Sequence, residues 1–153
     1  MKTLKTKAVA TYIFVLFVSF IACKKDKTDM GGKGYYQYGG QKYEIISAAL
    51  LTYHENLTLD LKTANAAQYV RIQFNDVGGI LPEGTLTRNE STGVYKPAEH
   101  FTSVIFGANG LDNVAAGGTI TIKKTDKGYQ VTLNLIAENG ELTGVYNGTL
   151  SEN

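Results

Sequence analysis

The chain has 153 residues, with 15 lysines and arginines against 14 aspartates and glutamates, one cysteine, two prolines and no tryptophan. That balance leaves no basic footprint for a phosphate backbone, so nucleic acid is not an expected partner. A single cysteine excludes an intramolecular disulfide framework. Seventeen glycines and ten tyrosines beside many β-branched residues suit a sheet protein with tight turns.

Lys2, Lys5 and Lys7 precede an apolar run from Ala8 to Ala22. A helix of that length covers roughly 22 Å, short of the ~30 Å hydrocarbon core of a bilayer. A short apolar segment behind lysines and before a small residue reads as an export signal over 1–22 rather than a permanent span. Phe20-Ile21-Ala22-Cys23 resembles the lipobox of bacterial lipoproteins, with Phe20 in place of the usual leucine. The following Lys24-Lys25-Asp26-Lys27 is similar to the tether of Bacteroidota lipoproteins. The resemblance implies that the Cys23 thiol is acylated, that the leader is cut, and that the protein is held on the cell envelope, at the outer membrane on its periplasmic or surface face. One acyl chain holds a protein only marginally, whereas two give a stable anchor. The partner so implied is the membrane itself.

Residues 23–33 are polar, glycine-containing and without periodicity, as a flexible tether of roughly 15–20 Å would be. From Gly34 to the end there are eight basic and twelve acidic residues, so the domain expected over 34–153 is acidic. About 120 residues suffice for one domain burying roughly two-thirds of its unfolded surface.

Tyr35-Tyr36-Gln37-Tyr38, Gly39-Gly40 and Gln41 to Ile46 form a hairpin signal. The second arm runs on through Ser47 to Tyr53, where a short helix over 47–52 competes with strand because Ala and Leu favour helix. Leu57, Leu59 and Leu61 alternate with Thr58, Asp60 and Lys62, which predicts a strand with one core face and one wet face. Val70, Ile72 and Phe74 alternate in the same way. A short strand is expected at 85–87, then a long loop from Arg88 to Glu99 with local strand at 93–95. His100 to Phe106 reads as strand, and Gly107 to Ala116 as a second long loop. The last third reads as a three-stranded meander: 118–123, 129–135 and 142–150, with Asn139-Gly140 in the final turn. On the last strand Leu142, Gly144, Tyr146, Gly148 and Leu150 share one face, with the glycines making room for the Tyr146 ring.

Eight to ten short strands without a convincing helix imply an all-β antiparallel β-sandwich, with a lipocalin-like β-barrel as the alternative. The C-terminal strands, and the step Leu81-Pro82-Glu83-Gly84-Thr85, resemble the end of small Bacteroidota lipoproteins of unknown function. That likeness implies class and location only.

No catalytic constellation stands out, and neither a cofactor nor a metal is expected. His54 and His100 lack the second-histidine spacing of a zinc site. Ser47, Ser91 and Ser103 lack a Gly-x-Ser-x-Gly setting. Asp76, Glu83 and Asp112 are dispersed carboxylates, and Asp112-Asn113 lacks a calcium loop of known spacing. Binding is the stronger expectation. Tyr35, Tyr36, Tyr38, Tyr53 and Tyr95 are candidate ligand contacts, since exposed tyrosines stack on sugar rings and anchor protein partners. The leading expectation is therefore a non-catalytic, lipid-anchored binding or accessory module for a glycan or envelope protein. A structural or assembly subunit comes second and a small hydrolase third.

Overall fold

The computed structural model describes residues 33–89 and 93–152. The expected leader, Cys23, the tether up to residue 32 and Ser91 lie outside the described residues. Twelve strands follow in chain order: β1 Lys33–Tyr38, β2 Gln41–Ile45, β3 Ser47–Tyr53, β4 Asn56–Lys62, β5 Tyr69–Phe74, β6 Gly84–Arg88, β7 His100–Phe101, β8 Ser103–Ala108, β9 Leu111–Thr125, β10 Gly128–Ala137, β11 Gly140–Gly148 and β12 Ser151–Glu152. The described residues contain no helix, and 47–52, where helix competed, is strand.

All twelve strands belong to one mixed sheet, curled into a half-barrel. Its order is β12-β3-β4-β5-β8-β9-β10-β11-β1-β2, with β6 beside β9 and β7 beside β6. The expected all-β class is what the chain adopts. The faces read as two layers of a sandwich are joined through β9, which pairs with β8 up to Val114 and with β6 from Thr119. A strand that changes partner in this way turns a corner between two sheet directions. Arg88 holds that corner: its Nη1 donates to the carbonyls of Ala115 and Ala116 at 2.9 Å each, where neither β8 nor β6 reaches. At the opposite corner β2 and β3 are separated by Ile46 alone, and the Ile46 N–H donates to the Lys62 carbonyl at 2.8 Å.

The concave face holds the core. Alternation sends Leu57, Leu59, Leu61, Val70, Ile72, Phe74, Ile120, Ile122, Val131 and Leu133 inward, and all are essentially buried. Tyrosines cross the interior. Tyr36 donates its hydroxyl hydrogen to the Gly107 carbonyl on β8, and its ring stacks on Tyr43 at 4.7 Å. Tyr43 donates to Asn109 Oδ1 at 2.9 Å and accepts from the Asn109 N–H at 3.2 Å. Burial, with Tyr43 alongside, pushes the Tyr36 phenol well above the ordinary tyrosine range.

Between β1 and β11 glycine faces tyrosine twice, as Gly34 opposite Tyr146 and Tyr36 opposite Gly144. Both rings are fully buried, so the expected inward position of Tyr146 is correct. These glycines let the two strands close up rather than clearing room for a ring: a Cβ on Gly34 would stand 2.8 Å from the Tyr146 Cα. A Cβ on Gly144 would stand 2.6 Å from the Tyr35 carbonyl oxygen and 3.0 Å from the Tyr36 Cα.

Two expectations need correction. Gly107–Ala116 is not a long loop: it is the end of β8, a tight Asn109-Gly110 turn and the first part of β9. Asn109 and Gly110 have φ of 55° and 76°, the left-handed pair that a two-residue hairpin turn demands. Gly93–Tyr95, read as local strand, forms none.

Candidate functional site

β4 and β5 pair in register, placing Asp60 directly opposite Arg71 and Lys62 opposite Tyr69 on the convex face of the sheet. The connection between them, 63–68, folds back on itself. The Thr63 hydroxyl lies 2.9 Å from the carbonyls of both Asn65 and Gln68, which share its one hydrogen, and the Ala67 N–H donates to Asn65 Oδ1 at 3.0 Å. The loop therefore forms a wall beside the outward side chains of β4 and β5. The result is a pocket of about 500 Å³ lined by Asp60, Lys62, Thr63, Gln68, Tyr69 and Arg71 together with two alanines of the loop. That volume lies within the range of small-molecule sites.

Asp60 was expected on a wet face, yet it is only 4% exposed. Ala49 on β3 and Arg71 on β5 flank it in the ladders, and Lys62 lies beside it. Its Oδ2 is 3.4 Å from Arg71 Nη2 and 3.9 Å from Lys62 Nζ. The first is a long, loose pairing for a carboxylate and a guanidinium. Asp60 Oδ1 and Arg71 Nε are both buried and have no hydrogen-bond partner. Buried polar atoms without a partner are uncommon in native proteins, and these two lie on facing residues at the floor of the pocket. The cations are not sealed in: the side chains of Lys62 and Arg71 stay 45% and 42% exposed.

Tyr69 forms the neighbouring wall. Its ring lies under the Arg71 guanidinium at 5.2 Å, and its hydroxyl donates to Asp112 Oδ1 at 2.9 Å. Burial raises the Tyr69 pKa, with the hydrogen bond to the Asp112 carboxylate and its charge adding to the effect. The phenol is therefore a proton donor throughout the physiological range.

The tyrosines proposed from sequence lie elsewhere and are not gathered into one surface. Tyr36 and Tyr38 are core residues, the latter edge-on to Phe106 at 4.8 Å, and burial removes them from any surface a ligand meets. They point inward because β1 alternates in the phase of Tyr36 and Tyr38. Tyr35 is outward and half-buried, with Lys42 Nζ 3.9 Å from its ring centre. Tyr53 is 74% exposed beside His54 in the β3–β4 turn. Tyr95 fastens its loop, accepting from the Asn75 N–H at 3.0 Å and donating to the His100 carbonyl at 3.2 Å.

His100 accepts from the Lys96 N–H through Nδ1 at 3.0 Å, so each histidine is engaged in its own local contact. Among the described residues no three His, Cys, Asp or Glu side chains gather as a metal-binding set. The pocket residues Asp60, Lys62, Tyr69 and Arg71 were not singled out from the sequence. The available signal was an acid and an arginine at facing positions of two strands joined by a short polar loop.

Comparison with protein families, with characterised proteins and with solved structures gives no match for this chain.

Proposed function

We propose that this is a non-catalytic binding module of the cell envelope, carried on a lipid attached to Cys23, whose convex-face pocket receives a polyhydroxylated ligand such as a glycan. The observation that carries the reading is the Asp60–Arg71 pair. A buried ion pair replaced by apolar packing often leaves a protein equally or more stable, so stability gives little reason for a pair made this loosely. Here two buried polar atoms are unpartnered beneath a pocket whose rim still offers exposed donors from Lys62 and Arg71. Flat polar side chains grouped beside an aromatic ring suit a ligand dense in hydroxyl groups.

Two experiments test the reading. Glycan-array binding by the purified protein should be lost in Arg71→Gln, with the fold intact by circular dichroism. Binding that survives unchanged in the variant would rule this pocket out. In cells, Cys23→Ser should move the protein from the membrane to the soluble fraction. A variant that still pellets and partitions into detergent would contradict the lipid anchor.

A second reading, an assembly subunit, is favoured by one observation. Tyr53 at the end of β3 and Ile80 and Val94 in connections are all exposed at one end of the half-barrel. That end is fastened by the Val77 N–H bonding the Glu55 carbonyl at 3.0 Å and by the Tyr95 contact to Asn75. Reproducible co-purification of a larger envelope protein, lost in Tyr53→Ser with Ile80→Ser, would support it.

A further inference from the structure

We infer that the ligand class of the convex-face pocket is an acidic sugar, a uronic acid whose carboxylate sits between Lys62 and Arg71. This rests on the reading of the pocket as a glycan site and goes beyond it by fixing the charge of the glycan.

Charge and hydrogen-bonding capacity around the pocket favour an anion. Its lining holds one carboxylate, Asp60, and two cations, Lys62 and Arg71, so the lining is locally positive although the domain as a whole is acidic. Asp60 is the buried member, at 4% exposure, while both cations are nearly half exposed. An incoming group therefore meets donors first. Arg71 carries five N–H donors, of which one lies 3.4 Å from Asp60, and Lys62 carries three with its nitrogen 3.9 Å from the same oxygen. Asp112, which is not part of the lining, has Oδ1 engaged by the Tyr69 hydroxyl.

Cationic donors thus outnumber accessible anionic acceptors, and a neutral hydroxyl ligand, though its oxygens accept hydrogen bonds, brings no charge to match them. A carboxylate supplies two oxygens with several lone pairs and matches the planar fork of a guanidinium. The sugar hydroxyls beside that carboxylate then fall to the other polar lining group, the Gln68 amide. Asp60 acts as a positioning residue: it holds Arg71 and Lys62 at the opening without being reachable itself. Asp60 can keep its contact with Arg71 Nη2 while the exposed part of the guanidinium meets the ligand carboxylate.

The test is isothermal titration of the purified protein at low salt. The probes are trimers of galacturonate, glucuronate and mannuronate, each against its own neutral methyl ester, with glycolate as a small free hydroxy acid. At least one tri-uronate is expected to bind about tenfold or more tightly than its ester, as a charge-assisted contact requires. Its affinity should fall as salt is raised. Lys62→Gln, a change at a half-exposed side chain, should bring the acid down to the level of the ester without changing the melting temperature. An ester that binds as well as its acid overturns the acidic class and leaves the glycan reading standing. No binding by any trimer overturns both. Glycolate binding as tightly as the best trimer overturns the sugar as the source of the carboxylate.

Discussion

Gly144 and Gly117 form a matched pair of substitutions that measures how closely β1 is seated on β11. An alanine Cβ at Gly144 would stand 2.6 Å from the Tyr35 carbonyl oxygen and 3.0 Å from the Tyr36 Cα, both main-chain atoms that no side-chain rotation relieves. Relief means moving β1 outward by several tenths of an ångström. That shift disturbs the ladder from Lys33 to Gln37 and draws the Tyr36 ring away from Tyr43 and Gly107. Overpacking of this kind costs about 1–3 kcal/mol, and a clash with backbone belongs at the upper end. At Gly117, also in a strand, an added Cβ meets nothing within 4 Å. There the loss of unfolded-state freedom should dominate, leaving Gly117→Ala unchanged or more stable by up to about 1 kcal/mol. Urea denaturation followed by tyrosine fluorescence gives both values, with similar m-values confirming two-state behaviour. Equal stabilities for the two variants would refute the close approach of β1 and β11.

Other expectations follow from the core and from the pocket. Because the folded Tyr36 phenol keeps its proton well above the ordinary range, the unfolded chain loses a proton first as pH rises past about 10. Stability that is complete below that pH should then fall by about 1.4 kcal/mol per pH unit from this group. Tyr36→Phe should remove one proton's worth of that slope in alkaline urea titrations; an unaltered slope would contradict its burial. Asp60→Asn should leave stability within about 1 kcal/mol of the parent or raise it, since a poorly repaid buried charge is removed. A loss of more than about 3 kcal/mol in the same denaturation assay would make Asp60 a structural anchor instead. Tyr146→Ala should cost roughly 3 kcal/mol or more, as other buried aromatic truncations do. A melting shift no larger than that of a surface variant would contradict its place in the core.

Much of the fold was legible because strand alternation is a local signal. Leu57, Leu59 and Leu61, or Val131, Leu133 and Leu135, announce a buried face whatever they pack against. The order and pairing of the last meander were legible because Gly128 and Asn139-Gly140 punctuate it, although β9 starts at Leu111, well before the expected 118. The same chemistry at Asn109-Gly110 was available, but the small polar residues around it, Gly107 to Ala116, masked a hairpin as a loop. Joining of the layers through β9 was not legible, since partner exchange midway along a strand leaves only Gly117-Gly118 as a trace.

The site was less legible than the fold. Tyrosines were judged by type, yet their phase on β1 puts Tyr36 and Tyr38 inside, and only pairing with β11 and β2 fixes that phase. Asp60 sits at a position that alternation assigns to solvent. What buries it comes from β3 and β5, and cross-strand register is a property of the assembled sheet.

The pocket between β4, β5 and the 63–68 loop is tested most directly by mapping amide chemical shifts during titration with tri-uronates. Perturbations should concentrate at residues 60–71 and at the Arg71 side-chain N–H, and should vanish in Arg71→Gln. Shifts confined to the end that carries Tyr53, Ile80 and Val94, or shifts that persist in Arg71→Gln, would contradict a binding site on the convex face.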